Sequence, residues 1–159
     1  MIWAIIIILA VIADQGTKYL IVNNVEYARQ IPVISNFFYI TYSRNKGAAW
    51  GIFQNGRYFF IVVTVIVSIV LAYMLVTSNN NLLRTSLSMI LGGAAGNFID
   101  RVREGSVVDF LDFYFGSYNF PTFNAADSFV VVGTILLAYY LLFNKTEEIK
   151  EEIKEEKQE

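Results

Sequence analysis

The chain contains no cysteine and no histidine in 159 residues. Without cysteine there is no disulfide, no thiol nucleophile and no lipid anchor on the chain's own thiols. Without histidine the commonest metal ligand and the usual base at neutral pH are both missing. Any acid–base chemistry must therefore come from Asp, Glu, Lys or Tyr, and neither a metal nor a cofactor is expected. Charge is scarce as well. Of the 14 acidic residues, half lie in the final stretch TEEIKEEIKEEKQE, which leaves the body Asp14, Glu26, Asp100, Glu104, Asp109, Asp112 and Asp127. No stretch concentrates Lys and Arg into the footprint that a nucleic-acid partner needs.

What the chain has in quantity is apolar surface. It is 55% hydrophobic with a mean hydropathy of +0.48, which excludes an ordinary soluble domain and predicts a helical membrane protein. A spanning helix needs about 20 mostly apolar residues. Four stretches meet that length or nearly do: Ile2 to Val22, Tyr58 to Val76, Leu82 to Ile99 and Ala125 to Phe143. The first lacks the basic start and the A-x-A site of a cleaved signal, so it is expected to be retained. TSNNN joins the second and third stretches tightly, which puts the two long connections, residues 23 to 57 and 102 to 124, on the face opposite the termini. Both connections have the β-branched and aromatic texture of short strands. The expected class is an all-α integral membrane protein with four transmembrane helices and a small β-rich platform built from the two long loops. Residues 1–144 form one membrane-embedded domain in this reading, and 145–159 a solvated charged tail. Lys and Arg are spread over both sides, so the positive-inside rule does not orient the chain.

Each ionisable group near these apolar runs needs a solvated position or a task. Asp14 and Lys18 share a helix face at i, i+4 and can pair, either as a structural ion pair or as the wall of a polar cavity. RNKGAAWG (Arg44 to Gly51) reads as a turn into the second helix. GGAAGNFIDR (Gly92 to Arg101) combines a small-residue packing face with Asn97, Asp100 and Arg101 clustered at a helix end. Asp109 follows a β-branched pair, and Asp127 opens the last apolar run. If Asp109 and Asp127 face one cavity, two close carboxylates can share a proton, one activating water while the other protonates a carbonyl. Asp112 competes for the same role. On a helix it lies beside Asp109, whereas on a strand it points to the other face. Spacing leaves the choice open. A proton- or ion-coupled transporter would use the same aspartates as relays, and a non-enzymatic scaffold would use only the packing face.

At these residues the chain resembles the bacterial lipoprotein signal peptidase family, also called signal peptidase II. The resemblance runs from about Asp14 to Gly133 through five motifs in order: DQGTK (Asp14 to Lys18), RNKGAAWG, GGAAGNFIDR, VVDF (Val107 to Phe110) and FPTFNAADS (Phe120 to Ser128). It implies an aspartic endopeptidase of the bacterial cytoplasmic membrane that removes the signal peptide from prolipoproteins whose future N-terminal Cys carries a diacylglyceryl group. It further implies Asp109 and Asp127 as the catalytic pair. Asn97, Asp100, Arg101 and Asn124 should line or support the site, and Asp14, Lys18, Asn45, Gly47 and Ala49 match further family positions. Both termini should be cytoplasmic, with the platform extracytoplasmic and the active site toward the outer face. The implied partners are lipid-modified prolipoproteins and membrane lipids, with no obligate protein partner. Trp50 stands where the family often has Phe. The loop before the second helix is expected to rest on the membrane and cover the site through Phe37 to Tyr42.

Overall fold

The computed structural model describes residues 1–47, 53 and 56–144. Trp50, Ala49 and the tail from 145 onward lie outside these described residues. Four long helices are present: α1 (Ile2–Asn24), α2 (Arg57–Thr77), α3 (Asn81–Glu104) and α4 (Ala125–Tyr139), the last continued by a π turn, Tyr140–Asn144. Between α1 and α2 lie β1 (Gln30–Ile34) and β2 (Phe38–Asn45), and between α3 and α4 lie β3 (Val107–Phe115) and β4 (Tyr118–Asn119).

The usual arrangement of a soluble protein is inverted. Ile5, Ile8, Leu9 and Ile12 of α1 and Val62, Ile66, Ile69 and Val70 of α2 are exposed, while Asp14, Lys18, Asp100, Asp109, Asp112 and Asn124 are buried. That distribution suits a bilayer as solvent, where exposed apolar side chains are favoured and polar groups must find partners inside. Among the described residues, three helical segments are long and apolar enough to cross a membrane: Ile2–Asn24, Arg57–Thr77 and Ala125–Phe143, with hydropathies of 1.8, 2.9 and 1.9. The remaining helix, α3, is as long at 24 residues but is the interior one, packed against α1, α2 and α4.

Close approach at α3 depends on its glycines. A Cβ at Gly92 would stand 2.6 Å from that of Ala10 on α1, one at Gly93 would strike the Ala126 carbonyl on α4, and one at Gly96 would strike the Asp14 carboxylate. The small-residue face expected from the sequence thus serves two neighbours, α1 and α4. Asn80 caps the start of α3 by accepting from the N–H groups of Leu82 and Leu83 at 2.9 and 3.1 Å. Gly105 ends it in the left-handed region at φ 71°, which costs little without a Cβ. The helix therefore runs five residues past the expected end at Ile99. Asn97, Asp100 and Arg101, expected at a helix end, lie within its last two turns.

All-α is too narrow a description of the class. The two long loops pair with each other in a four-stranded antiparallel sheet of order β1-β2-β3-β4. β2 from the first loop and β3 from the second are its central pair, with Ser43 opposite Asp109 and Tyr39 opposite Asp112. Their alternating β-branched and aromatic residues suit a pleated surface, and Phe38 stacks on Phe113 at 4.5 Å. The segment after β4 also binds β3, because the Phe123 carbonyl accepts from Phe110 and Leu111 at 3.0 and 2.9 Å. That clamp brings the first turn of α4 beside Asp109.

Candidate active site

Asp109 sits on β3, 2% exposed, and Asp127 lies in the first turn of α4. Both carboxylates line one cavity of about 560 Å³, together with Asn45, Gly47, Asn97 and Arg101. Its apolar wall includes Phe120, Phe123, Val131 and Val132.

Three asparagine amides hold the two carboxylates, and each has its orientation settled by a donor on its own oxygen. The Asn45 Oδ1 accepts from the Gly47 N–H at 2.9 Å, so its amide nitrogen is left to donate to Asp109 Oδ2 at 3.1 Å. The Asn97 Oδ1 accepts from the Lys18 ammonium at 3.0 Å, and its nitrogen donates to Asp127 Oδ1 at 2.7 Å. The Asn124 Oδ1 accepts from the Asp127 N–H at 3.0 Å, and its nitrogen donates to Asp109 Oδ1 at 2.6 Å. Ammonium and backbone N–H groups only donate, so none of these amides can be reversed without facing donor to donor. Asn124 and Asp127 also form a capping box, with the Asn124 N–H donating to Asp127 Oδ2 at 3.1 Å. The start of α4 and the placing of Asp127 are one structure.

Behind the cavity wall, Lys18 bridges Asp14 and Asp100, each at 2.8 Å. Asp14 uses its other oxygen to accept from the Ala126 N–H at 2.9 Å, so α1 supplies a second cap to α4. Asp100 accepts from the Val108 N–H at 3.3 Å and so ties α3 to β3. These buried charges are paired and hydrogen-bonded, as a low-dielectric setting requires. Arg101 lies over the Phe60 ring at 4.8 Å and donates to the Gly47 carbonyl at 3.5 Å.

Burial, with the negative charge of Asp127 as second cause, pushes the Asp109 carboxyl up from 3.8 to about 7. The donors Asn45 and Asn124 and the Lys18 charge oppose that rise without cancelling it. A carboxyl near 7 exchanges its proton readily at neutral pH, as general acid–base work requires.

Of the expected site residues, Asp109, Asp127, Asn45, Gly47, Asn97 and Arg101 line the cavity, while Asn124 is fully buried between the carboxylates and Asp14, Lys18 and Asp100 form the layer behind. Asp112 lies apart. Three residues along the same strand, it faces away and accepts from Gln30 Nε2 at 2.7 Å. Phe37 to Tyr42, expected to cover the site, instead provides most of the central strand β2. Sequence reasoning missed Gln15, whose amide donates to Asp14, Asp100 and the Gly96 carbonyl at 2.9 to 3.2 Å. It also missed Ser128, Val131 and Val132, which line the cavity, although Val131, four residues on from Asp127, shares its face of α4.

Helices suited to lipid around a polar, carboxylate-bearing cavity define a membrane-embedded enzyme. Two solved structures, each described as a bacterial membrane enzyme determined by the in meso method, share this fold. One, at 2.3 Å resolution, is 40% identical over 91% of this chain and 90% of its own, with a TM-score of 0.85. Another, at 1.9 Å, is 41% identical over 89% of this chain and 92% of its own, with a TM-score of 0.81. Residues 6–143 match the sequence model of the family described as Signal peptidase (SPase) II. The chain belongs to the signal peptidase II family and is a lipoprotein signal peptidase, a protease of the membrane. The transporter and scaffold readings are set aside.

Proposed function

We propose that the enzyme is an aspartic endopeptidase in which Asp109 and Asp127 share one proton. The ionised carboxylate takes a proton from water as the water oxygen attacks the scissile carbonyl, and the protonated one gives its proton to the carbonyl oxygen. In the collapse the carboxyl that took the water proton gives it to the amide nitrogen, the other carboxylate takes a proton from a hydroxyl of the tetrahedral intermediate, and the C–N bond breaks, which returns the pair to its starting state with either member able to act first. The observation that carries this reading is the pair of carboxylates on one cavity wall, Asp109 buried and Asp127 half-buried, each held by amide donors whose orientations are fixed. Asn45, Asn97 and Asn124 position the pair. Asp14, Lys18 and Asp100 position Asn97 and the start of α4, while Gly47 and Arg101 secure the strand end that bears Asn45.

The substrate in this reading is a prolipoprotein cut before its diacylglyceryl-modified Cys. Val131 and Val132 line the cavity yet are 56% and 45% exposed, so its apolar wall continues onto the surface that meets lipid. Acyl chains can stay in the bilayer while the scissile bond reaches the carboxylates, and no cofactor or obligate protein partner is invoked. α3 completes a bundle of four spans in the cytoplasmic membrane. Both connections that build the sheet leave one end of that bundle, which suits an extracytoplasmic platform, an active site toward the outer face and cytoplasmic termini. Residues 1–144 then form the catalytic domain and 145–159 a cytoplasmic tail.

Cleavage of a purified diacylglyceryl prolipoprotein in detergent tests the assignment. Asp109→Asn and Asp127→Asn should abolish turnover, and Asp112→Asn should retain it. Turnover surviving in either of the first two variants refutes the aspartic pair.

A further inference from the structure

A second cavity, of about 160 Å³, shares no lining residue with the cavity that holds the carboxylate pair. It is bounded by Lys18, Tyr19 and Asn23 of α1, Arg44 of β2, and Arg103 and Glu104 of α3. Strand alternation separates the two chambers, since Val107 and Asp109 face the first and Val108 faces the second.

Its carboxylates are already engaged. Asp100 holds Lys18 at 2.8 Å, and Glu104 holds Arg44 at 3.2 Å. Arg44 is further fixed by donating from Nε to the Tyr42 hydroxyl at 2.9 Å, which leaves part of its donor fork free. Arg103 is different, for among the described residues it has neither an ion pair nor a hydrogen bond. Lys18 and Arg44 are thus matched by Asp14, Asp100 and Glu104, and the Arg103 guanidinium alone among the lining cations has no carboxylate partner among the described residues. On α1, Tyr19 and Val22 of the lining and the neighbouring Leu20 are exposed, and the helix then ends in Asn23 and Asn24. Apolar side chains giving way to amides mark the depth at which a spanning helix leaves hydrocarbon, where lipid phosphates lie.

We propose that this cavity binds the phosphate ester of an anionic phospholipid headgroup, with Arg103 and Arg44 on its oxygens and the acyl chains along α1. The planar guanidinium fork matches phosphate oxygens better than a point charge does. An arginine at headgroup depth with no ion pair among the described residues gains a partner there. The site is separate from the one that takes substrate, and it does not depend on the aspartic mechanism.

The test titrates the purified full chain in neutral detergent with phosphatidylglycerol or phosphatidylcholine and counts bound lipid by native mass spectrometry. Wild type should bind phosphatidylglycerol more tightly than phosphatidylcholine. Arg103→Gln should weaken phosphatidylglycerol about fivefold, the worth of one cation near an anionic lipid surface, and Arg103→Glu should weaken it further. Arg29→Gln, which alters an exposed arginine elsewhere, should bind as wild type does. Thermal melting of each variant checks folding, and Arg44→Gln gives an independent second reading from the opposite wall. Unchanged affinity in the Arg103 variants overturns the proposal, as does an equal loss in Arg29→Gln, which would signify diffuse charge attraction. Displacement of the lipid by millimolar inorganic phosphate would make the cavity a free-anion site and overturn the lipid assignment.

Discussion

Asn124→Asp changes one atom type and almost no volume, which makes it the sharpest perturbation of the carboxylate pair. Asp is as good an N-cap as Asn, so the bond from the Asp127 N–H to the residue-124 oxygen survives and α4 still starts correctly. What disappears is the amide nitrogen, which donates to Asp109 Oδ1 at 2.6 Å and to Asn97 Oδ1 at 3.1 Å. A third carboxylate oxygen then faces Asp109. A hydrogen bond to a charged group contributes about 1.5–3 kcal/mol, which corresponds to about 10- to 150-fold in rate. The loss should fall on kcat, because the Asp109 charge changes during the reaction and the donor discriminates between its two states. The added negative charge also raises the Asp109 carboxyl above about 7, so the alkaline limb of the activity profile should move to higher pH. Prolipoprotein cleavage measured from pH 5 to 9, with circular dichroism to confirm folding, reads both effects. A kcat within twofold of wild type and an unmoved alkaline limb would refute the role given to this amide.

Other expectations follow from the same geometry. Asp109 has a raised carboxyl in the folded state, so the stability it contributes is complete below about pH 4 and is lost as pH rises through about 7; thermal melting of wild type should fall across that window, and Asp109→Asn should flatten the fall. Lys18→Met leaves Asp14 and Asp100 buried without their shared cation and should cost about 3–5 kcal/mol of stability by chemical denaturation, with a larger loss than the exposed-pair variant Arg29→Met. Gly93→Ala drives a methyl into the Ala126 carbonyl; it should cost about 1–3 kcal/mol and lower turnover by moving Asn97 away from Asp127, read as a lower melting temperature together with a reduced kcat.

The helices were legible because lipid demands long apolar runs, and nothing else in a chain this short produces them. The end of α3 was not. The apolar run thins out near Ile99, yet the helix continues to Glu104, with the Asp100 charge taken up inside by Lys18, and Gly105 stops it. The strands were legible as texture, but their pairing across two loops was not, since register depends on contacts more than 60 residues apart, such as Ser43 with Asp109. Asp112 shows the limit of spacing. A three-residue interval puts two side chains together on a helix and apart on a strand, and the choice rests on β2 lying alongside. The orientation of Asn97 left no trace in the sequence, because its donor, Lys18, comes from another helix, whereas Asn45 and Asn124 are fixed by backbone N–H groups two and three residues on.

The capping box of α4 has a consequence for inhibition. Asp127 terminates hydrogen bonds that start a membrane helix, and Asn124 serves that helix and Asp109 together. A compound that grips the two carboxylates would be opposed by residues the enzyme cannot exchange without loosening the entrance of α4. Escape would have to come through the apolar wall, at Phe120, Val131 or Val132, which make none of the hydrogen bonds that start α4 or hold the two carboxylates. An inhibitor that leans on the carboxylates and touches that wall lightly should therefore meet resistance slowly.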